Sequence, residues 1–293
     1  SLHSFPTLYR RLCAHYAIAL ERRYSSALIH YLQALVMRGQ ATLYRHPGRW
    51  LWRGVQFLLN GFPAVLQRQA SMLWLAVALF WLPAIAMGLA CYLNPDSIFM
   101  VSDAISVAQY ESMYDPASEH VGRLKERAAD SRFSMFGFYI FNNVGIGFRT
   151  FAAGLLLGLG SIFFLMYNGV QSGAVAGSLT WRGYLETFWG FVAGHSSFEL
   201  MAICICGAAG LVLGKALWIP GAKRRGHALQ DAAKEAVQLM IGGMLMLFIA
   251  AFIEAYWSPL RAVPAMMKYG VGISFWLMVL LYFWYAWSWH EPD

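Results

Sequence analysis

The stretch SMLWLAVALFWLPAIAMGLACY, residues 71–92, decides the fold. It carries no charged side chain over a length that exceeds the roughly 20 helical residues needed to cross a hydrocarbon core about 30 Å thick. Lipid offers no water to satisfy backbone N–H and C=O groups, so a run of this kind crosses as a helix, whose hydrogen bonds are internal. A barrel strand would alternate apolar and polar residues over about ten positions. Here the apolar residues are continuous, and the barrel is set aside.

Downstream the pattern repeats at residues 133–148, 150–167, 188–214, 237–257 and 269–289, which predicts about six transmembrane helices. Composition agrees: 59% of the 293 residues are hydrophobic and 13% charged, against roughly 45–50% and about 25% in soluble domains. The fold class expected is an all-α polytopic membrane helix bundle over residues 69–293. Arg149 is the expected break between the second and third spans, which then form a tight hairpin. Glycines four apart, Gly154 with Gly158 and Gly169 with Gly173 and Gly177, are the small residues that let membrane helices approach closely.

Upstream, residues 1–68 hold nine arginines against one acid, Glu21. Leu8, Leu12, Tyr16 and Leu20, then Leu28, Leu32, Leu35 and Val36, recur at helical spacing and predict amphipathic helices. The segment YRHPGRW at 44–50 is a breaker, and 52–68 resumes as a basic stretch suited to anionic headgroups. This region is expected to be cytoplasmic or interfacial.

Charge sets the orientation. The loop at 93–132 carries seven acids and four bases, whereas the loop after 214 is rich in Lys215, Lys223, Arg224, Arg225 and Lys234. By the positive-inside rule the first is extracytoplasmic and the second cytoplasmic. Six spans then place both termini in the cytoplasm of a bacterium, with the bundle in its inner membrane. The net charge of +7 follows this topology, so nucleic acid is not an expected partner. Cys13, Cys91, Cys204 and Cys206 show no zinc or redox spacing and are read as free thiols. No cleavable signal peptide is visible ahead of residue 71.

Ionisable groups within spans are costly and require partners. His195 and Glu199 stand four apart and share one helix face. Glu254, near the outer end of its span, is expected at a similar depth. Asn142, Asn143 and Asn168 supply further amides, although Asn142 and Asn143 cannot both face the cluster. Three readings follow: a polar lock between helices, a pocket for a proton, ion, lipid headgroup or peptide, and a metal-dependent hydrolase. The third is the weakest, since no H-E-x-x-H helix is present. No metal or cofactor is assigned, and the chain lacks the G-x-x-x-x-G-K-[ST] loop of an ATPase.

The double asparagine at 142–143, the glycine-rich run into Tyr167-Asn168-Gly169, Gly194-His195 with Glu199, Gly207-Ala208-Ala209-Gly210-Leu211 and Ile253-Glu254-Ala255 together resemble the stage II sporulation protein M family. The N-terminal Leu8-Tyr9-Arg10-Arg11-Leu12-Cys13 looks like the longer Gram-negative branch. The resemblance implies a non-enzymatic membrane scaffold for peptidoglycan-remodelling enzymes. Other members look like companions of MoxR-type AAA+ ATPases, and a basic helical region would suit such docking. A transporter or lipid flippase-like protein using the His/Glu cluster is the alternative. Membrane lipids and a homo-oligomer, a dimer first, complete the expected partners.

Overall fold

The computed structural model describes residues 5–44, 49–118, 122 and 129–288. Among these the secondary structure is entirely helical, with no strand. The chain divides into two compact units between Phe57 and Leu58.

The first unit contains α1 (Phe5–Glu21), α2 (Ser26–Tyr44) and α3 (Arg49–Gln56). The turn after α1 closes with Tyr24 N–H donating to Ala19 O at 3.0 Å and with Arg23 at φ +50°. α1 and α2 pack on each other, and the Tyr9 ring of α1 lies where a side chain on Gly39 of α2 would stand. Leu8, Leu20, Leu28, Tyr31 and Met37 remain exposed on this pair.

The second unit opens with a π-helical turn at the boundary (Phe57–Gly61) and α4 (Phe62–Arg68). Tyr282 and Tyr285 donate their hydroxyls to Leu58 O at 2.6 Å and Leu59 O at 3.0 Å, satisfying carbonyls of that turn. Phe62 to Leu66 are buried, and α4 packs on α11 and α12. The bundle follows: α5 (Ala70–Leu93), α6 (Ala104–Tyr114), α7 (Ala129–Ala152), α8 (Leu159–Trp181), α9 (Gly190–Val192), α10 (Ser196–Trp218), α11 (Arg225–Tyr256) and α12 (Ala265–Ser288). Four of these helices, α5, α10, α11 and α12, are long and apolar enough to cross a membrane. α7 and α8, of 24 and 23 residues, complete the bundle. The protein is an all-α membrane helix bundle.

Contacts fix the helix directions. Gly169, Gly173 and Gly177 of α8 meet Phe80, Ala84 and Gly88 of α5 in the same order, so these two run parallel. Trp74 and Trp81 of α5 pack against Trp287 and Trp276 of α12 in reverse order, so those run antiparallel. α10 follows α12, through Phe198 on Phe275 and Gly272 against Ala193, and α7 follows α10, through Gly147 at Cys206 and Gly154 at Gly210. Phe136 of α7 packs on Tyr256 of α11 while Gly147 meets Leu247, so α11 opposes α7. The six long helices therefore alternate in direction along the chain, as successive membrane passes do.

Two expected boundaries move. α7 passes through Arg149, whose exposed guanidinium donates from Nε to Gly145 O at 3.0 Å on its own helix. A charged side chain at the helix surface does not end a helix. The break lies at residues 153–158, where Leu157 and Gly158 take φ of +55° and +81°. The segment expected as one span from residue 188 is divided: a π-helical turn (Leu185–Trp189) and α9 end before α10 starts at Ser196.

α10 is the centre of the bundle. Met201 to Gly214 are all buried, and 78% of its apolar window is inside the protein, against 22% for α5 and for α12. A helix apolar on every side belongs at such a position.

Candidate functional site

The polar centre is built where α10 begins, α11 ends and α7 passes between them. His195 is the residue just before α10 and Glu199 lies in its first turn, so one helical turn brings them together: His195 Nε2 is 3.6 Å from Glu199 Oε2. Glu254 comes from the last turn of α11. Donor atoms of the three side chains all lie within 4.8 Å of one another. His195 is 4% exposed.

An outer set of groups orients these three. His195 Nδ1 is 3.0 Å from the hydroxyl oxygen of Ser258, which sits just beyond α11. The carbonyl of Ser258 accepts from Lys268 Nζ at 2.7 Å, and that buried lysine opens α12. Asn143 of α7 donates from Nδ2 to Glu254 Oε2 at 3.1 Å, and its own Oδ1 accepts from Asn142 Nδ2 at 3.0 Å. Phe191 covers the imidazole edge to face, with ring centroids 5.5 Å apart. Four helices thus meet through one polar network.

The expected residues separate. His195, Glu199, Glu254 and Asn143 stand together, and Asn142 joins through Asn143. Asn168 is elsewhere, with its Nδ2 donating to Phe164 O of its own helix at 2.7 Å. Ser258 and Lys268 belong to the network and were not singled out by sequence reasoning. A signal existed for Ser258, which follows Glu254 by four positions. For Lys268 the only mark is a lysine at the start of an apolar run. All four cysteines are free.

Chemically, an imidazole with one nitrogen held and the other turned toward two carboxylates can share a proton with them or bind a cation. A separate apolar cleft of about 320 Å³, bordered by Leu58, Phe62, Phe198, Gly242, Leu245 and Tyr282, has no charged lining group.

Comparison with known proteins follows this geometry. The family model described as Stage II sporulation protein M matches residues 72–259, more than half of the chain and all of the polar centre except Lys268. A second model, a domain of unknown function, matches residues 1–45. An uncharacterized protein of the archaeon Methanocaldococcus jannaschii, MJ0793, is 27% identical over 121 residues, covering 40% of this chain and 67% of that protein. No solved structure gives a significant match.

Proposed function

The chain belongs to the stage II sporulation protein M family, and on that premise we propose that it is a non-enzymatic component of a bacterial inner membrane that holds an envelope or ATPase partner. The partner classes are peptidoglycan-remodelling enzymes and MoxR-type AAA+ ATPases. The observation that carries the reading is the separate N-terminal unit. Its α1/α2 pair leaves Leu8, Leu20, Leu28, Tyr31 and Met37 exposed on a segment rich in arginine, which offers a partner both apolar and cationic contacts.

Alternating helix directions favour six passes. On that reading the basic segment around Lys223 and the N-terminal unit share the cytoplasmic face, and the loop holding α6 faces outward. A homodimer is part of the same reading, although the glycine ladder itself is spent inside one chain, against α5 and α10. The test is crosslinking in native membranes followed by affinity purification, run on the full chain and on a variant with Leu8, Leu28, Tyr31 and Met37 changed to Ser. Recovery of a partner of either class with the full chain, lost in the variant, supports the reading. An unchanged partner set, or none of either class, counts against it.

The second reading is transport or lipid flipping through the polar centre. The divided helix ahead of α10 favours it, since broken helices carry ion and substrate sites in transporters. Flux into proteoliposomes, abolished by His195→Ala in folded protein, is its signature.

A further inference from the structure

We propose that His195, Glu199 and Glu254 form a binding site for one divalent transition-metal ion of the zinc class. The inference is independent of the assembly reading. It stands on the inner and outer sets of contacts taken together.

The inner set has the right chemistry. One imidazole nitrogen and two carboxylates lie with donor atoms within 4.8 Å of one another. Zinc bonds of about 2.0–2.2 Å in tetrahedral geometry place ligand atoms ~3.4 Å apart. His195 Nε2 and Glu199 Oε2 are already at 3.6 Å, so closure needs a side-chain adjustment of about 1 Å elsewhere. The two carboxylates neutralise a divalent ion, and a neutral complex is what a low-dielectric interior tolerates. A nitrogen ligand selects zinc, iron, copper or nickel over magnesium and calcium, which take oxygen.

The outer set is what distinguishes a built site from a chance cluster. Metal-binding histidines commonly engage their second ring nitrogen, which fixes the tautomer. Ser258 Oγ takes that role at 3.0 Å from Nδ1, leaving Nε2 to face the carboxylates. Lys268 in turn holds the Ser258 carbonyl at 2.7 Å. Asn143 donates to Glu254 Oε2 at 3.1 Å and so orients that carboxylate. The donors stand on α10, on α11 and in the turn before α10, and are fixed by helices rather than by a free loop. Three protein ligands leave a coordination position for water. The indole N–H of Trp257, packed beside Gly194, is buried without a hydrogen-bond partner among the described residues. Glu199 keeps 19% of its side chain exposed.

The experiment uses the full chain in detergent micelles, purified on a tag without histidine, stripped with chelator, exposed to Zn²⁺ and desalted. Elemental mass spectrometry then counts zinc per chain. The expected result is about one zinc per chain, at least tenfold less in the Glu199→Gln/Glu254→Gln pair, and affinity weakened roughly 10–100-fold in Ser258→Ala. Zinc raises the unfolding temperature of the wild type and Mg²⁺ does not. The zinc-free pair unfolds no lower than zinc-free wild type, so lost metal is not lost fold. If the pair fails to fold, stoichiometry and unfolding shift in the wild type decide. Wild type retaining less than a tenth of an equivalent, or a folded pair retaining as much as wild type, overturns the site and leaves a proton-sharing polar lock.

Discussion

Two interfaces of one bundle are held by opposite means. Between α5 and α8 there is almost no polar chemistry: Gly169, Gly173 and Gly177 lay backbone against the carbonyls of Phe80, Ala84 and Gly88. Between α7, α10 and α11 the join is a histidine, two carboxylates and an asparagine. Lipid tails are as apolar as leucine, so neither interface gains from removing apolar surface from water. The first relies on close packing, which any added atom spoils. The second relies on directed bonds, each weak in a membrane. Small residues therefore tolerate change less than the conspicuous charged ones.

The sharpest way to break that comparison is Gly173→Leu. A first side-chain atom there falls on the carbonyl of Ala84, which belongs to backbone and cannot swing away. Overpacking costs about 1–3 kcal/mol where side chains can yield, and the expected loss here is at least about 3 kcal/mol, read as a fall in unfolding temperature and in monodisperse yield from detergent. A stable Gly173→Leu bundle would show that α5 and α8 are joined in some other way.

Asn143→Ala comes next. It removes the amide on Glu254 Oε2, and membrane hydrogen bonds average about 0.6 kcal/mol with a maximum near 1.7, so the expected loss of stability in metal-free protein is about 1 kcal/mol. Chemical or thermal unfolding of the variant beside wild type measures it. A loss equal to that of Gly173→Leu would erase the distinction between the interfaces.

Asn168→Ala sharpens the comparison by matching chemistry without the join. Its amide caps a carbonyl of its own helix, so stability should change by no more than about 0.5 kcal/mol. The same unfolding assay checks it, and a loss exceeding that of Asn143→Ala would mean that Asn168 joins helices after all.

The smallest effect belongs outside the bundle's apolar layer. Asp103 caps α6, accepting from Ser106 N–H at 2.7 Å, and the Ser106 contacts, side chain first, hold its carboxyl below the ordinary 3.8. Its folded value is depressed, so the cap's contribution is fully present above pH 3.8 and is lost as pH falls through the lowered value. Hydrogen exchange at the first amides of α6 should quicken in Asp103→Ala at neutral pH and in wild type only on acidification. Global unfolding should barely move.

How much of this the sequence carried follows from the range of each feature. The glycine ladder and the His195/Glu199 pair are periodicities within one helix, and both are legible at four-residue spacing. The meeting of Asn143 with Glu254 spans 111 positions; the sequence could say that one of two adjacent asparagines would turn inward, but only packing chooses it. Arg149 misled because a long cationic side chain can lie along its own helix and reach the surface, whereas the true break required left-handed backbone at Leu157 and Gly158. Ser258 and Lys268 were missed since a hydroxyl and a lysine at span ends are ordinary until a histidine stands beside them. The family resemblance was legible because its motifs fall on these same packing and polar positions.

The burial of α10 has a consequence for how the protein is made. Synthesis proceeds from the N-terminus, so α10 enters the bilayer before α11 and α12 do. The helix that ends as the interior must first live among lipids. Its continuous apolar surface from Met201 to Gly214 suits both lives, but His195 and Glu199 do not share that ease. They wait for Glu254, Ser258 and Lys268, which arrive last, so the polar centre is the final part of the bundle to close and marks the moment at which the inserted chain becomes the finished one.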